Sequence, residues 1–304
     1  MNDVNWALAR KRQNLEQRAR ILQQVRAFFI DHAYLEVETP HRLPGNAPEP
    51  HIDAVASAGW ALQTSPELSM KRLLASGHER LFQICRCWRD QERGRLHLPE
   101  FTLLEWYRTG IDYHALMSEC EDLFRTLVPE GSLSWQGKKI DIAVPWERLT
   151  VRAAFEQYAS IDLADALQNN RFEEVLTNEV ESNLGQDRPT FLTEYPAGMA
   201  ALARMKPTDP TVAERFELYL AGIELANAYA ELTAPEEQRQ RFVEAEQVRR
   251  INGKPAWPSP EKFLAELTAM PEAAGIALGI DRLVMLLTGS PTIDAVVAFT
   301  PEQL

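Results

Sequence analysis

The sequence predicts an α+β fold in which a largely antiparallel sheet is flanked by helices. Helical and strand patterns are mixed along the chain without a regular strand–helix–strand rhythm. Two strand-like segments, residues 81–84 and 101–108, are separated by a charged loop at 89–98. That layout is typical of a hairpin, whose strands are antiparallel.

The first 70 residues predict a helix, a short strand, a loop and a second helix. Residues 14–33 carry apolar side chains at helical spacing, and residues 34–39 alternate like a strand before Pro40. Residues 41–60 are rich in proline and glycine and predict a loop. The segment TSPE at 64–67 predicts a helix start. Its Thr and Glu fit the spacing of a capping box, and its Ser-Pro pair fits an N-cap followed by a first turn.

The rest of the chain predicts further helices and strands within one catalytic domain spanning residues 1–304. Helices are expected at 112–128, 150–184, 236–250 and 281–288, and strands at 190–193, 214–219, 227–232 and 275–279. Residues 150–184, rich in Glu and Asp, are interpreted as a helical insertion.

Composition limits the class of protein. Among 304 residues, 45% are hydrophobic, but no run approaches membrane-spanning length. The N-terminus lacks an apolar stretch followed by a small-residue cleavage site, so we expect a cytoplasmic protein without a secretory signal. The three cysteines, Cys85, Cys87 and Cys120, make a poor disulfide framework or zinc site and are expected to be buried thiols.

The charge distribution argues against general nucleic-acid binding. The formal net charge is −12, whereas binding to phosphates needs a cationic surface. The charge is uneven, since residues 1–110 carry +2 and the remainder −14. The basic N-terminal segment is either a contact for an acidic partner or a solvated helix face.

The charged loop and the strand after it offer groups for binding an anion and a cation. Five arginines lie nearby: Arg86, Arg89, Arg93, Arg95 and Arg108. The planar guanidinium suits phosphate oxygens, although a solvated hairpin is an alternative interpretation. Alternation predicts one strand face with Phe101, Leu103, Glu105 and Tyr107. Glu105 on such a face is costly to bury unless it is paired.

The segment RFELYLAGIELANAYAEL carries three glutamates seven residues apart: Glu217, Glu224 and Glu231. On a helix they would align along one side. On a strand, Glu231 would share a face with Asn227 and Tyr229, and Glu224 would have the opposite parity. For all of them to meet one ligand, the chain must bend or bulge near Ala226.

The segment GIALGIDRLVML combines small residues with an arginine. Gly275, Ala277 and Gly279 allow a ligand to approach the backbone closely. Asp281 starts a helix, which places Arg282 near its positive N-terminal end.

In order, these segments resemble the three signature motifs of class II aminoacyl-tRNA synthetases. HAYLEVETP resembles motif 1, FQICRCWRD through HLPEFTLLEWY resembles motif 2, and GIALGIDRLVML resembles motif 3. The segments TSPELSMKRLL, FLTEYPA and RFELYLAGIELANAYAEL are similar to lysyl-tRNA synthetase in particular. The resemblance implies the class II catalytic core and, through motif 1, a homodimer.

Motif 1 begins almost at once, without the anticodon-binding barrel that precedes it in lysyl-tRNA synthetase. The sequence therefore resembles the truncated paralogues that attach (R)-β-lysine to a lysine of translation elongation factor P. The resemblance implies elongation factor P as the acceptor, no tRNA binding and no membrane association. Ala277 agrees, because these paralogues have alanine where the tRNA synthetase has glycine, and one methyl is worth about 1–3 kcal/mol of discrimination.

The resemblance also implies roles for individual residues in activating the amino acid with ATP. Arg89 would hold the α-phosphate and the substrate carboxylate, Arg282 the γ-phosphate, and Phe101 the adenine. Further ATP contacts are expected at Asp90, Gln91, His97, Leu98, Glu224, Leu225 and Gly279. Glu217 and Glu224 would bind Mg²⁺ that bridges the phosphates.

The same resemblance implies a site for a diamino acid. Glu231 and Tyr107 would bind the distal ammonium, and Glu67 and Glu105 would face the other end, although Glu67 could instead cap a helix. The pocket would also be lined by Ser65, Pro66, Asn227, Tyr229 and Ala277.

Three positions depart from the family pattern. Gln91 stands where motif 2 has glutamate, Leu98 where asparagine is usual, and Asn227-Ala228-Tyr229 replaces Asn-Gly-Phe. The leading hypothesis is an elongation factor P ligase for (R)-β-lysine. The alternatives are a lysine-activating paralogue with another acceptor and a regulatory protein that has lost catalysis.

Overall fold

A computed structural model of the chain describes residues 6–304. It comprises two compact units, one formed by Met1–Ile111 with Leu232–Leu304 and the other by Asp112–Glu231. The single catalytic domain over residues 1–304 stays a prediction. Within residues 6–304, no helix is long and apolar enough to cross a membrane. The predicted absence of a secretory signal concerns the N-terminus, where residues 1–5 lie outside the described part of the chain.

The N-terminal part of the first unit contains two helices and six strands. They are α1 (Trp6–Asp31), β1 (Leu35–Glu36), β2 (Arg42–Leu43), β3 (Ala56–Ser57), β4 (Trp60–Leu62), α2 (Glu67–Ala75), β5 (Arg80–Trp88) and β6 (Glu100–Thr109).

The second unit contains four helices and seven strands. They are α3 (Tyr113–Leu127), β7 (Ser132–Trp135), β8 (Lys138–Asp141), β9 (Glu147–Thr150), α4 (Val151–Tyr158), α5 (Leu163–Gln168), α6 (Phe172–Val175), β10 (Thr190–Pro196), β11 (Met205–Lys206), β12 (Asp209–Leu220) and β13 (Ile223–Ala230).

The C-terminal part of the first unit contributes α7 (Pro235–Ile251), α8 (Glu261–Glu266), β14 (Ala273–Gly279) and α9 (Ile280–Leu287). The α+β fold with a mainly antiparallel sheet is thereby confirmed, and each predicted helix and strand overlaps at least one observed element of the same type.

The sheet of the first unit is built around the predicted hairpin. Strands β5 and β6 pair antiparallel from Arg80 opposite Arg108 to Trp88 opposite Glu100. Strand β14 pairs antiparallel with β6, and the short β1 pairs parallel with β5. The amphipathic helix α1 covers this sheet, with Phe29 stacked on Phe82 at 4.9 Å between ring centres.

Two local predictions in the first unit were wrong. Residues 41–60 were expected to be a loop, but β2, β4 and β3 form a small antiparallel sheet there. Its strands are only two or three residues long, too short for an alternating pattern to be visible. The capping box is not formed either, because α2 begins at Glu67, whose N–H donates to the Ser65 hydroxyl at 3.0 Å.

In the second unit, β9, β10, β12 and β13 form a sheet in the order β13-β12-β10-β9. The predicted helical insertion at 150–184 is confirmed as helical, but it is broken into α4, α5, α6, a π-helical turn and a 3₁₀ turn. Asp162 caps α5 by accepting from the Asp165 N–H, and Asn170 ends that segment with a φ of 53°. The broken helices pack around a core that includes Phe155 and Phe172.

A buried ion pair joins α1 to the strand and helix that carry the two motif arginines. Arg18 contacts the Asp281 carboxylate at 2.5 Å and donates to the Thr102 hydroxyl at 2.9 Å. The same carboxylate accepts from the Thr102 N–H at 2.7 Å. Thr102 follows Phe101 on β6, and Asp281 precedes Arg282 on α9. The three groups therefore fix β6 and α9 against each other.

We expect Arg18→Met to lower the free energy of unfolding by about 3–5 kcal/mol, because it leaves the Asp281 carboxylate buried without its cation. The control is Arg12→Met, which removes an exposed pair with Glu16 on the same helix and should lower the free energy of unfolding far less. Urea denaturation of both variants measures the difference. Equal losses would contradict a special role for the buried pair.

Candidate functional site

Arg89 lies directly after β5 and stacks on an aromatic ring. Its guanidinium carbon is 5.1 Å from the centre of the Phe101 ring, within the range of a cation–π contact. Its Nη1 is 3.9 Å from the Glu92 carboxylate. The Arg89 Nε is buried without a hydrogen-bond partner among residues 6–304. A buried donor of this kind favours an anionic oxygen as its partner.

Arg282 is tied to the charged loop of the first unit. Its Nε donates to the Leu96 carbonyl at 3.3 Å, and its Nη2 is 2.6 Å from His97 Nε2. Because a guanidinium can only donate, His97 Nε2 accepts and the ring proton lies on Nδ1. Loss of hydration, and then the positive charges of Arg282 and Arg89, lower the pKa of His97. The positive charges of both motif arginines therefore favour the neutral form of the His97 ring.

The remaining predicted ATP contacts of the first unit lie around these arginines. Asp90 is exposed, and its N–H donates to the Asp53 carbonyl at 2.7 Å. Gln91 is exposed with a φ of 62°, and Leu98 is buried. Gly279 ends β14 opposite Leu103, just before the helix of Arg282. Their contacts with ATP stay predictions.

A buried carboxyl group lies on the face of β6 that the sequence predicted. Glu105 is fully buried and accepts from the Ser65 hydroxyl at 2.6 Å and from the Tyr107 hydroxyl at 2.7 Å. Desolvation, and then the charge of Glu67, raise the pKa of Glu105 to about 8, although both hydroxyls and Lys71 oppose the shift. A positively charged group placed beside Glu105 would favour its ionised form.

Helix α2 and strand β14 complete the surroundings of Glu105. Pro66 is the buried N-cap of α2, and Glu67 in its first turn forms an ion pair with Lys71. Ala277 lies directly opposite Glu105 across the β6–β14 pair. Residues paired in this way have side chains on the same face about 4.5–5.5 Å apart at Cβ. The methyl group of Ala277 is therefore next to the carboxyl side chain.

In the second unit, Glu217 is held by a cation and two phenols. Its Oε1 accepts from Arg215 at 2.6 Å, and its Oε2 accepts from Tyr195 at 2.6 Å and Tyr219 at 2.7 Å. Burial raises the pKa of Glu217, and Arg215 opposes that shift. The Glu217 carboxylate is thus fixed in one orientation.

A β-bulge brings the predicted residues of β13 to the face of β12 that carries Glu217. Leu218 pairs with Ala226, but Tyr219 pairs with Glu224, so Leu225 is the extra residue. The bulge near Ala226 that a shared ligand would require is therefore present. Because the bulge reverses the parity, Glu224 shares a face with Glu217.

Asn227 connects this face to Tyr229. Its side-chain oxygen accepts from Arg215 at 3.1 Å, and its NH₂ group donates to the Tyr229 hydroxyl at 3.0 Å. The departure from phenylalanine to tyrosine therefore adds a hydroxyl that orients Asn227. Glu231 follows β13, is buried and forms a backbone bridge with Ala203. Its predicted pairing with Tyr107 stays a prediction.

The acidic residues of the second unit are the predicted site for Mg²⁺, which would also be bound by the phosphates of ATP. Desolvation, and then Glu217 and Glu224, raise the pKa of Glu181 to about 7, so the three carboxyls repel one another. Across residues 6–304, no three His, Cys, Asp or Glu side chains form a metal site by themselves. Mg²⁺ usually keeps waters and binds through one or two carboxylates plus substrate phosphates. Glu217 and Glu224 therefore remain the predicted ligands.

Sequence reasoning missed several side chains of these sites. They are Lys71, Glu181, Tyr195, Arg215 and Tyr219. The alternation of Arg215, Glu217 and Tyr219 along one strand was a visible signal for two of them. Tyr195 was hidden by a second bulge at Glu194, which has a φ of 59°.

The raised pKa of Glu105 predicts a pH-dependent cost to stability. Between about pH 4.5 and 8 the unfolded chain loses the proton while the folded protein keeps it, so stability falls as pH rises. We expect Glu105→Gln to be increasingly more stable than the wild type over this window, by up to a few kcal/mol. Denaturation at several pH values measures the difference. Glu100→Gln, an exposed change on the same strand, should follow the wild type, and a constant difference for Glu105→Gln would contradict the shift.

The chain is similar to a known protein family and to named bacterial proteins. The family model described as tRNA synthetases class II (D, K and N) matches residues 4–303. The chain is 39% identical over 323 positions to a protein of Klebsiella pneumoniae strain 342 named elongation factor P--(R)-beta-lysine ligase, covering 99% of this chain and 98% of the relative.

Relatives with the same name occur in other bacteria. One from Erwinia tasmaniensis is 38% identical, with all of both chains covered. One from Vibrio atlanticus is 39% identical, with 97% of each chain covered. The chain belongs to the class II tRNA synthetase family of the D, K and N type.

Proposed function

We propose that the chain activates (R)-β-lysine with ATP and transfers it to a lysine side chain of translation elongation factor P. The proposal rests on the near-full-length similarity to ligases of that name. The chain also keeps the two arginines around His97 and the buried carboxyl of Glu105.

In the first step, a carboxylate oxygen of the amino acid attacks the α-phosphorus of ATP. The bond to the β-phosphate oxygen breaks, which gives an acyl-adenylate and pyrophosphate. Arg89 would stabilise the charge at the α-phosphate through its unpartnered Nε, and Arg282 would bind the terminal phosphate. Both groups supply orientation and charge stabilisation.

Mg²⁺, when bound, neutralises phosphate charge and orients the triphosphate for in-line attack. Glu217 and Glu224 would hold it. Arg215 and the two phenols would keep the Glu217 carboxylate in place.

In the second step, the ε-amine of the acceptor lysine attacks the acyl carbon of the adenylate. The bond between that carbon and the AMP oxygen breaks, the nitrogen loses a proton and an amide forms. AMP leaves as the second product. No covalent bond to the enzyme is needed.

The pocket around Glu105 supports a substrate with an amino group near its carboxylate. Glu105 and Glu67 would bind that ammonium, with Ser65 and Tyr107 holding Glu105. The Ala277 methyl beside Glu105 would favour the β-isomer by excluding an amino group on the α-carbon. Glu231 would bind the distal ammonium.

The remaining proposals concern assembly and location. A homodimer through motif 1 is supported by the exposed apolar side chains of Ile30 and Leu35, which flank the turn between α1 and β1. A cytoplasmic location is supported by three buried free cysteines. The net charge of −12 argues against tRNA as a partner.

ATP–pyrophosphate exchange tests the reaction with (R)-β-lysine, L-lysine or no amino acid. We expect the fastest exchange with (R)-β-lysine. Faster exchange with L-lysine would support a lysine-activating paralogue, and no exchange at all would support a protein without catalysis. Transfer to purified elongation factor P, followed by mass spectrometry, tests the acceptor.

Arg282→Ala should slow the exchange by at least about 100-fold, because it removes a preorganised cation from the phosphates. Arg86→Ala is the matched control, because it removes an exposed arginine of β5 for which no phosphate contact is proposed. Thermal unfolding should show that both variants are folded. Near-normal exchange by Arg282→Ala would refute its role.

Ala277→Gly should increase the use of L-lysine relative to (R)-β-lysine by about 10- to 200-fold, the worth of one methyl group in a pocket. The ratio of kcat/KM values for the two isomers is the measurement. An unchanged ratio would show that Ala277 does not discriminate between them.

A further inference from the structure

Lys71 is a buried cation to which neither the sequence motifs nor the proposed reaction assigns a role. Its side chain is 1% exposed on α2, and it forms an ion pair with Glu67 one helical turn earlier. Lysine is almost never fully buried unless it is paired. Keeping such a pair costs desolvation that an apolar side chain would not. A cation buried at this position therefore indicates a function beyond packing.

Lys71 acts on both carboxyls at the amino end of the proposed pocket. It is in contact with Glu67, and its charge also opposes the raised pKa of Glu105. By formal charge, the two carboxylates and the one ammonium of these three side chains sum to one net negative charge. That charge matches a single ammonium group.

The other groups around Glu105 are neutral hydrogen-bonding or apolar side chains. Ser65 and Tyr107 donate to its two oxygens. Gln83 of β5 and Ala277 of β14 lie opposite it in the sheet. Within the first unit, the charges that act most strongly on this carboxyl are therefore those of α2.

Lys71 and Ser65 both contact Glu67. The hydrogen bond is to Oε1, and the Glu67 side chain is 14% exposed. Its N–H is held by the Ser65 hydroxyl, which also donates to Glu105. Ser65 therefore holds the backbone of Glu67, and Lys71 holds its carboxylate.

We propose that Lys71 is a positioning residue for the substrate amino group, acting through Glu67. It orients the Glu67 carboxylate, so that the proposed pocket accepts one ammonium at that end. This inference rests on the proposed function, because it assumes that the ligand is a diamino acid. Without Lys71, the Glu67 carboxylate would lose the contact that fixes its orientation.

The test is a double-mutant cycle between Lys71→Met and Glu67→Gln, with binding of (R)-β-lysine measured by titration calorimetry. We expect Lys71→Met to weaken binding at least about tenfold, as for other broken buried charge pairs. In the Glu67→Gln background the same change should alter binding by less than about twofold, because Lys71 acts through Glu67. The KM for ATP should stay within about twofold in both backgrounds.

Arg72→Met is the matched control on the same helix, where it removes a half-exposed ion pair with Glu266. It should leave (R)-β-lysine binding unchanged. If Lys71→Met does not fold alone, a loss of (R)-β-lysine binding of more than about twofold from Glu67→Gln to the double variant still overturns the proposal.

Two results would overturn the proposal for Lys71. One is unchanged (R)-β-lysine binding by a folded Lys71→Met protein, and the other is an equal loss of binding in both Glu67 backgrounds. Exchange by the wild type separates this failure from that of the proposed function. If the wild type exchanges normally and either of these results is found, only the proposed role of Lys71 is contradicted. If the wild type neither binds (R)-β-lysine nor catalyses exchange, both proposals are contradicted.

Discussion

Burial of carboxyl groups on strand faces is the constraint on which the candidate site residues of each unit depend. Glu105 on β6 and Glu217 on β12 are each removed from water, which raises their pKa values. Each is held by two hydroxyl donors, Ser65 and Tyr107 for Glu105 and Tyr195 and Tyr219 for Glu217. An isolated buried carboxylate would otherwise cost several kcal/mol. These donors fix the positions of the acidic groups before any ligand binds.

The two carboxyls differ in the cation that accompanies them. Glu217 forms an ion pair with Arg215, which also binds Asn227. Glu105 has no direct ion pair among the contacts described, and the nearby Lys71 is bound to Glu67. Under the proposed function, Glu105 would receive its counter-charge from the substrate. Burial of the Glu105 carboxyl thus lowers the stability of the folded protein. Such a loss at a functional group is a common compromise between stability and activity.

The anion-binding part of the first unit depends on a different arrangement. Arg282 is attached to the charged loop through Leu96 and His97, and Arg89 stacks on Phe101. The Arg18–Asp281 pair fixes the strand and the helix on which Phe101 and Arg282 lie. Two arginines that would repel each other are therefore held near one neutral imidazole by the surrounding backbone. The departures at Gln91 and Leu98 leave these contacts in place.

The sequence by itself determined the fold class, the main elements, the family resemblance and the face of β6, because these depend on periodicity and on motifs that are local in the chain. From the parity of Glu224 and Asn227 it also gave a bend or bulge near Ala226 as the condition for these residues to meet one ligand. Only the tertiary structure decided that the bulge residue is Leu225, that Tyr195 binds Glu217 and that Lys71 is buried where its charge acts on Glu105. Those facts depend on strand register and on contacts between residues distant in sequence, and a shift of one residue in register reverses every side chain on a strand.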